Sequence, residues 1–390
     1  MSNSILAIVP AEAQFGNMSV NQRLRALAGL GQLDILGCYP DSFPDDVAEV
    51  AQILRLPITQ SMRKGPLRVA AFGAEALVWS ILQRVRRRRY DLVYCFQDPS
   101  AAVGLLMRGS GTGWVIDALD DPALELRNAV EQGKALKWRA LTVRDRLFSL
   151  LTSRADLVVT IGSSADDPLP LLLHAEYGVA RDRILPLVQA LDLERLAPPV
   201  PTIAEGTPPA VFYVGWVSPL RGILTLIDAG KSLKDKGVDV ELRLAGHLKA
   251  ADRQWLEDVG ASHPGLVHYV GIIASTHTME EIGNASICVC PFPERRELVP
   301  VQPVKVLEYM AAGKPVVASR LPGTSAIIED GVNGLLVNPG DPQQLADAIE
   351  KLLVDDDLRR SLGEAAKLRV TSFDVTIVNR RLQEALARWL

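Results

Sequence analysis

The chain has 390 residues, of which 48% are hydrophobic and 23% charged, with a formal net charge of −4. That length is too great for one compact core, and the apolar content supplies material for two. The charge balance gives nucleic acid no whole-molecule attraction, so no nucleic-acid partner is expected and any anion binding has to be local.

The amino terminus has no basic stretch followed by a long apolar core, and Pro10 interrupts its only apolar run, so no secretion signal is expected. Buried-strand runs then alternate with helical patterns at Ile5–Val9, Leu33–Cys38, Leu92–Cys95, Trp114–Ala118, Leu157–Ile161 and Ile184–Val188. Pro198, Pro199, Pro201, Pro208 and Pro209 crowd a segment of low periodicity that reads as a linker. A second strand series follows at Val211–Val214, Val240–Ala245, Val267–Val270, Ile287–Cys290, Pro315–Ala318 and Leu335–Val337. The fold class is therefore α/β, with two Rossmann-like doubly wound domains. Such sheets bind ligands beyond the carboxyl ends of their strands, so the two are expected to face a cleft. The last helix, Val375 to Leu390, carries Ile377, Leu382, Leu386, Trp389 and Leu390 as apolar positions and is expected to pack back on the first domain.

Cys38, Cys95, Cys288 and Cys290 all fall in apolar runs and lack zinc spacing, which predicts buried reduced thiols and a cytoplasmic protein. The five histidines are scattered, and Asp355-Asp356-Asp357 reads as a helix cap, so no metal is required. Asp117, Asp120 and Asp121 follow a predicted strand. An acid there can position an acceptor hydroxyl or take its proton, and the same pattern also serves as a plain strand-end turn. The longest apolar stretch, Val69 to Leu82, is short of a membrane span and contains Glu75. It runs into Arg84, Arg86, Arg87, Arg88 and Arg89, and a second basic segment carries Lys134, Lys137, Trp138, Arg139, Arg144 and Arg146. Cations beside an apolar face can rest on an anionic membrane surface, and arginines ending a helix also complement its dipole.

The densest signal lies in the second half. Val211–Val214 ends at Gly215, and Ser218-Pro219-Leu220-Arg221-Gly222 leads into a helix, so Arg221 can reach a diphosphate near a backbone that glycine leaves open. The stretch from Val304 to Ala318 reads as a short helix, a glycine stop and a buried strand. Pro303 is expected at the first helical position, leaving the amides of Val304 and Lys305 to meet an anion. Glu308 lies about a turn inside, placed to hydrogen-bond hydroxyls of a nucleotide whose phosphates rest on the helix start.

These blocks, with Leu242–Gly246, Val267–Gly271, Asp330–Val337 and Asp341–Ala346 in order, resemble glycosyltransferase family 4, retaining enzymes of GT-B architecture. The resemblance covers the second domain; in the first it rests on the loop holding Gly16, on Ala155–Thr160 and on Ile184–Pro186. It implies an acceptor-binding domain over 1–197, a linker over 198–210, a nucleotide-sugar domain over 211–372 and a returning helix over 373–390. It also implies a metal-independent enzyme without a cofactor that uses a nucleotide-diphosphate sugar as donor. The acceptor would be a glycan, a lipid-linked molecule or a small molecule. Gly16, Gly215, Arg221, Val304, Lys305 and Glu308 would contact the donor, Arg221 with Asp120 and Asp121 would serve catalysis, and Glu297 is a candidate sugar contact. Three positions depart from the family's pattern: Pro300 where the first of two acids usually stands, Trp216 where arginine is common, and Ala326 where an acid is common. They motivate the alternatives of a catalytically degenerate sugar-nucleotide-binding subunit or a GT-B epimerase.

Overall fold

The structure is a computed structural model that describes residues 3–10, 18–39, 43, 45–62, 66–96, 100–121, 124, 126, 135–196 and 209–390. It divides into two compact units, Met1–Ala190 with Thr376–Leu390, and Leu191–Val375. The second unit closes on itself at its ends: the Leu191 amide donates to the Phe373 carbonyl and the Val375 amide to the Leu191 carbonyl, both at 2.9 Å. The proline-rich segment 198–208 lies outside the described residues.

In the first unit, strands β1 (Ser4–Val9), β2 (Gln32–Gly37), β3 (Ala51–Leu54), β4 (Leu92–Phe96), β5 (Gly113–Ala118), β6 (Leu157–Ile161) and β7 (Ile184–Leu187) form one sheet in the order β3-β2-β1-β4-β5-β6-β7. Every pairing is parallel. Parallel strands carry helices on both faces, which is why Ile5, Leu6, Ala7, Ile8 and Val9 are all fully buried and read as an unbroken apolar run. β3 escaped the sequence reading because it is a four-residue, half-exposed edge strand without an apolar signature.

The closing helix Val375–Leu386 belongs to this first unit from Thr376 onward. Its buried line is Val378, Leu382 and Leu386, while Ile377, expected on that face, is 45% exposed. The buried positions keep a strict four-residue step that Ile377 misses by one. Gln383 donates to the Ala26 carbonyl at 2.8 Å, and the Trp389 ring occupies the space beside Gly113 where any Cβ would fall.

The second unit holds β8 (Ala210–Val214), β9 (Glu241–Ala245), β10 (Val267–Gly271), β11 (Ile287–Cys290), β12 (Val316–Ser319) and β13 (Leu335–Val337), parallel and ordered β10-β9-β8-β11-β12-β13. Its core gathers Val211, Tyr213, Ile227, Leu242, Val289, Val317, Leu345 and Ile349 from strands and covering helices.

Candidate functional site

The chain leaves β8 outward to β9 and β10 and then returns to β11 on the other side of β8. The connections after β8 and β11 therefore diverge from one point, and the carboxyl ends of these two strands bound the crevice where open α/β sheets take ligands. Gly215 ends β8 with φ of 140°, a conformation side-chain-bearing residues rarely adopt. Ser218 accepts from the Leu220 amide and caps the 3₁₀ turn Pro219–Arg221. Gly222 follows at φ 81°, and a Cβ there would lie 1.6 Å from the Pro291 carbonyl oxygen after β11. That close approach fixes the Arg221 turn against the β11 loop.

Two cations converge on this loop. The Arg221 guanidinium stands 5.5 Å and the Lys305 ammonium 5.3 Å from the centroid of the Phe292 ring. Lys305 also lies 3.9 Å above the Tyr213 ring, and its Nζ would be 2.5 Å from a Cβ on Gly215. Glycine at 215 thus leaves the room that the Lys305 side chain occupies. Burial pushes the Lys305 ammonium down from its ordinary value to about 8, with nearby Arg221 acting in the same direction. The pair is a concentrated, partly desolvated positive charge, which is the environment in which a phosphate contact is strongest.

Lys305 sits in the first turn of the helix Val304–Ala311. Pro303 is the N-cap residue of this helix, one position before its expected place, with extended backbone. The Val306 amide already reaches the Pro303 carbonyl, whereas the amides of Val304 and Lys305 lie where a helix offers no carbonyl partner. Glu308 comes one turn later. Burial raises its carboxyl above the usual range, partly countered by Lys305, and among the described residues it has no side-chain hydrogen bond. The Tyr309 hydroxyl accepts from the Val214 amide at 2.9 Å, tying this helix to the end of β8. Glu297 lies in the loop before it and pairs with Arg295 at 2.6 Å. Partial burial opposes its ionisation, yet its own backbone amide, Arg295 and Arg221 hold its carboxyl below the usual range. Trp216 is 52% exposed, with the His247 ring 5.7 Å away and the Lys249 ammonium 5.2 Å from its centroid.

The structure thus brings together Gly215, Arg221, Glu297, Val304, Lys305 and Glu308 in one unit. The Lys305 side chain and Phe292 were not singled out in sequence; the only available sign was a lysine at the second position of a short helix whose amides already faced the site. In the first unit, Gly16 lies outside the described residues, as does Lys134. Asp117 belongs to β5 itself and is fully buried, accepting from the Tyr94 hydroxyl at 2.5 Å with Arg23 3.4 Å away. It is an internal pair rather than a group facing a ligand, because the strand runs through it, in register with Phe96 and Val159. Asp120 is exposed and Asp121 half-buried just beyond the strand.

Comparisons with known proteins bear on this geometry. Residues 208–355 match the family described as glycosyl transferases group 1, a span that contains the β8 loop, both cations and the Glu308 helix. The carboxy-terminal unit is a group 1 glycosyl transferase domain. The chain is 27% identical over 326 residues to a D-inositol 3-phosphate glycosyltransferase of Corynebacterium jeikeium, covering 79% of this chain and 74% of that one. It is 31% identical over 179 residues to an alpha-D-kanosaminyltransferase of Streptomyces kanamyceticus, covering 45% and 44%. Among solved structures, Anabaena HepE in complex with UDP and glucose superposes with a TM-score of 0.69 at 18% identity over 99% of both chains. The chain has two Rossmann-like units as in the GT-B fold, and its second unit carries the group 1 glycosyl transferase match.

Proposed function

We propose that this glycosyltransferase moves a sugar from a nucleotide-diphosphate donor to a hydroxyl acceptor with retention of the donor's anomeric configuration. The observation that carries the reading is the convergence of Arg221 and Lys305 at the switch point, beside the open first-turn amides of the Glu308 helix. A diphosphate held there meets two charge-assisted donors and the positive end of a helix, while Glu308 takes ribose hydroxyls. Lys305 thereby supplies the second cation that Trp216 leaves missing from the family's usual pair. Glu297, paired with Arg295 in the loop before the Glu308 helix, is assigned to the sugar. These groups supply the countercharge for the leaving diphosphate, so the reading is metal-independent and uses no cofactor.

In the transfer step the bond from the sugar's anomeric carbon to the diphosphate oxygen breaks, and the acceptor oxygen bonds to that carbon on the same face. The acceptor proton passes to a phosphate oxygen of the departing group. Asp120 and Asp121 are assigned to acceptor positioning in the first unit. The relative named for inositol 3-phosphate supports a small polyhydroxylated acceptor, with glycan and lipid-linked acceptors as the other classes. A cytoplasmic enzyme, peripheral on the inner face of the membrane, fits such substrates. The test is incubation with UDP-, GDP- and ADP-sugars and an acceptor panel, with the product's anomeric proton read by NMR. Transfer from one donor with unchanged anomeric configuration supports the proposal. An inverted product ends the retaining reading, and selective donor binding without transfer points to the degenerate subunit motivated by Pro300.

A further inference from the structure

The helix Pro66–Val85 in the first unit is turned the wrong way round for a water-facing helix. Its buried line runs through Phe72, Ala76, Ser80 and Gln83, with two polar side chains on the inside. Its outward line is Ala74, Val78, Ile81, Leu82 and Val85, spaced as one helical face and apolar throughout. Val78, Ile81, Leu82 and Val85 are 58%, 53%, 49% and 74% exposed. The helix Ser100–Met107 packs against it and against the helix Ala135–Thr152, which carries a second outward apolar line of Val143, Leu147 and Leu150. Scattered surface apolar residues need no explanation, but two exposed apolar lines on helices that both pack on the helix Ser100–Met107 mark a docking face.

At the carboxyl end of the first stripe the chain closes a cavity of about 320 Å³ lined by Arg84, Arg87, Arg88, Arg89 and Arg108. Arg88 is neutralised by Asp34 at 2.6 Å and Arg108 by Asp156 at 2.6 Å. Among the described residues, Arg84, Arg87 and Arg89 have no acidic partner, and neither does neighbouring Arg86. Arg84 donates only to the Leu106 carbonyl, at 3.1 Å. Arg87 holds φ at 56°, in the left-handed position of a helix-ending turn where glycine is usual. Its amide reaches the Arg84 carbonyl and that of Arg88 the Gln83 carbonyl, which closes the turn and points successive arginines into one place. The cavity is formed by segments entering β4 and β5, at the amino ends of the strands, so it lies at the opposite edge of the sheet from the end where α/β sheets bind substrates.

We infer that this face docks the enzyme on an anionic phospholipid bilayer, with the apolar stripes among the acyl chains and the arginine cavity seating a lipid phosphate. Charge complementarity selects that occupant. The chain as a whole carries −4, yet this patch concentrates cations without acidic partners among the described residues beside the exposed apolar stripe of the Pro66–Val85 helix. A second copy of the chain would bring the same arginines against them. No described helix is long and apolar enough to cross a membrane, and an interfacial face of this kind requires none.

Flotation of the full chain with phosphatidylglycerol vesicles, and separately with phosphatidylcholine vesicles, tests this. Binding is expected to the first and to be at least tenfold weaker to the second. Replacing Arg86, Arg87 and Arg89 together by glutamine is expected to weaken binding about 100-fold, from the roughly tenfold-or-less contribution of each cation near an anionic surface. Ile81→Ser with Leu82→Ser, both exposed changes, is expected to weaken it at least about tenfold without lowering the melting temperature. Nucleotide binding belongs to the other unit and should be unchanged in both variants, so failure here is separable from failure of the donor assignment. Equal binding to the two vesicle types, unchanged binding by either variant, or pyrophosphate binding at the arginines without flotation would each overturn the inference, as would self-association through this face in place of vesicle binding.

Discussion

Replacing Lys305 with methionine separates stability from binding. The lysine's fall from 10.5 to about 8 on burial means that the folded protein holds its proton less tightly than the unfolded chain. In full this corresponds to about 3 kcal/mol at neutral pH, and partial exposure of the side chain reduces it to about 2 kcal/mol. Below pH 8 that penalty is present in full; between about pH 8 and 10.5 the unfolded state binds more protons, so stability rises with pH and the penalty disappears. A methionine of similar length keeps the contact with the Tyr213 and Phe292 rings and removes the charge. At pH 7 the variant should therefore melt higher by about 5 °C, with the gap closing as the pH approaches 10.5. Nucleoside diphosphate affinity should move the opposite way, falling about 10- to 100-fold at pH 7 with the loss of one charged hydrogen bond. In the wild type, affinity should also decline as pH rises past about 8, and Lys305→Met should lack that decline. Thermal melts and calorimetric titrations across this range read both effects. A variant that melts lower and binds diphosphate as well as the wild type refutes the reasoning.

Three further substitutions probe the scaffold. Gly222→Ala drives a Cβ to 1.6 Å from the Pro291 carbonyl in a left-handed backbone position, and should destabilise the second unit by about 3 kcal/mol or more in denaturant unfolding. Arg87→Gly relaxes the only non-glycine residue with positive φ among the described residues, and should raise stability by about 1 kcal/mol while weakening vesicle binding. Asp117→Asn leaves Arg23 buried without its counterion and should cost about 3 kcal/mol in the same unfolding measurement. An unchanged midpoint would show that Tyr94 and Arg23 need no charge there.

Sequence alone revealed both sheets because parallel strands buried on both faces appear as apolar runs; Leu157–Ile161, Ile287–Cys290 and Leu335–Val337 were read with the bounds they have in the structure. It could not reveal β3, whose edge position removes that pattern. The first-turn amides of Val304 and Lys305, left without a helical carbonyl partner, were readable from a local helix start. The Lys305 ammonium was not, because its direction depends on Gly215, brought alongside only by the pairing of β8 with β11. Asp117 was misread for a related reason: it lies inside the run Trp114–Ala118, yet was grouped with the acids that follow the strand, and the register shows it paired on both sides. The stripe of Val78, Ile81, Leu82 and Val85 was visible as apolar text, but which side of the helix faces water is a tertiary fact.

The grip on a diphosphate is tested most directly by titrating UDP, GDP and ADP, and the nucleosides uridine, guanosine and adenosine, into the wild type and Arg221→Ala. One diphosphate should bind far more tightly than its nucleoside, and Arg221→Ala should remove at least about tenfold of that preference. A nucleoside that binds as well as its diphosphate, or an alanine variant with undiminished preference, would contradict the assignment.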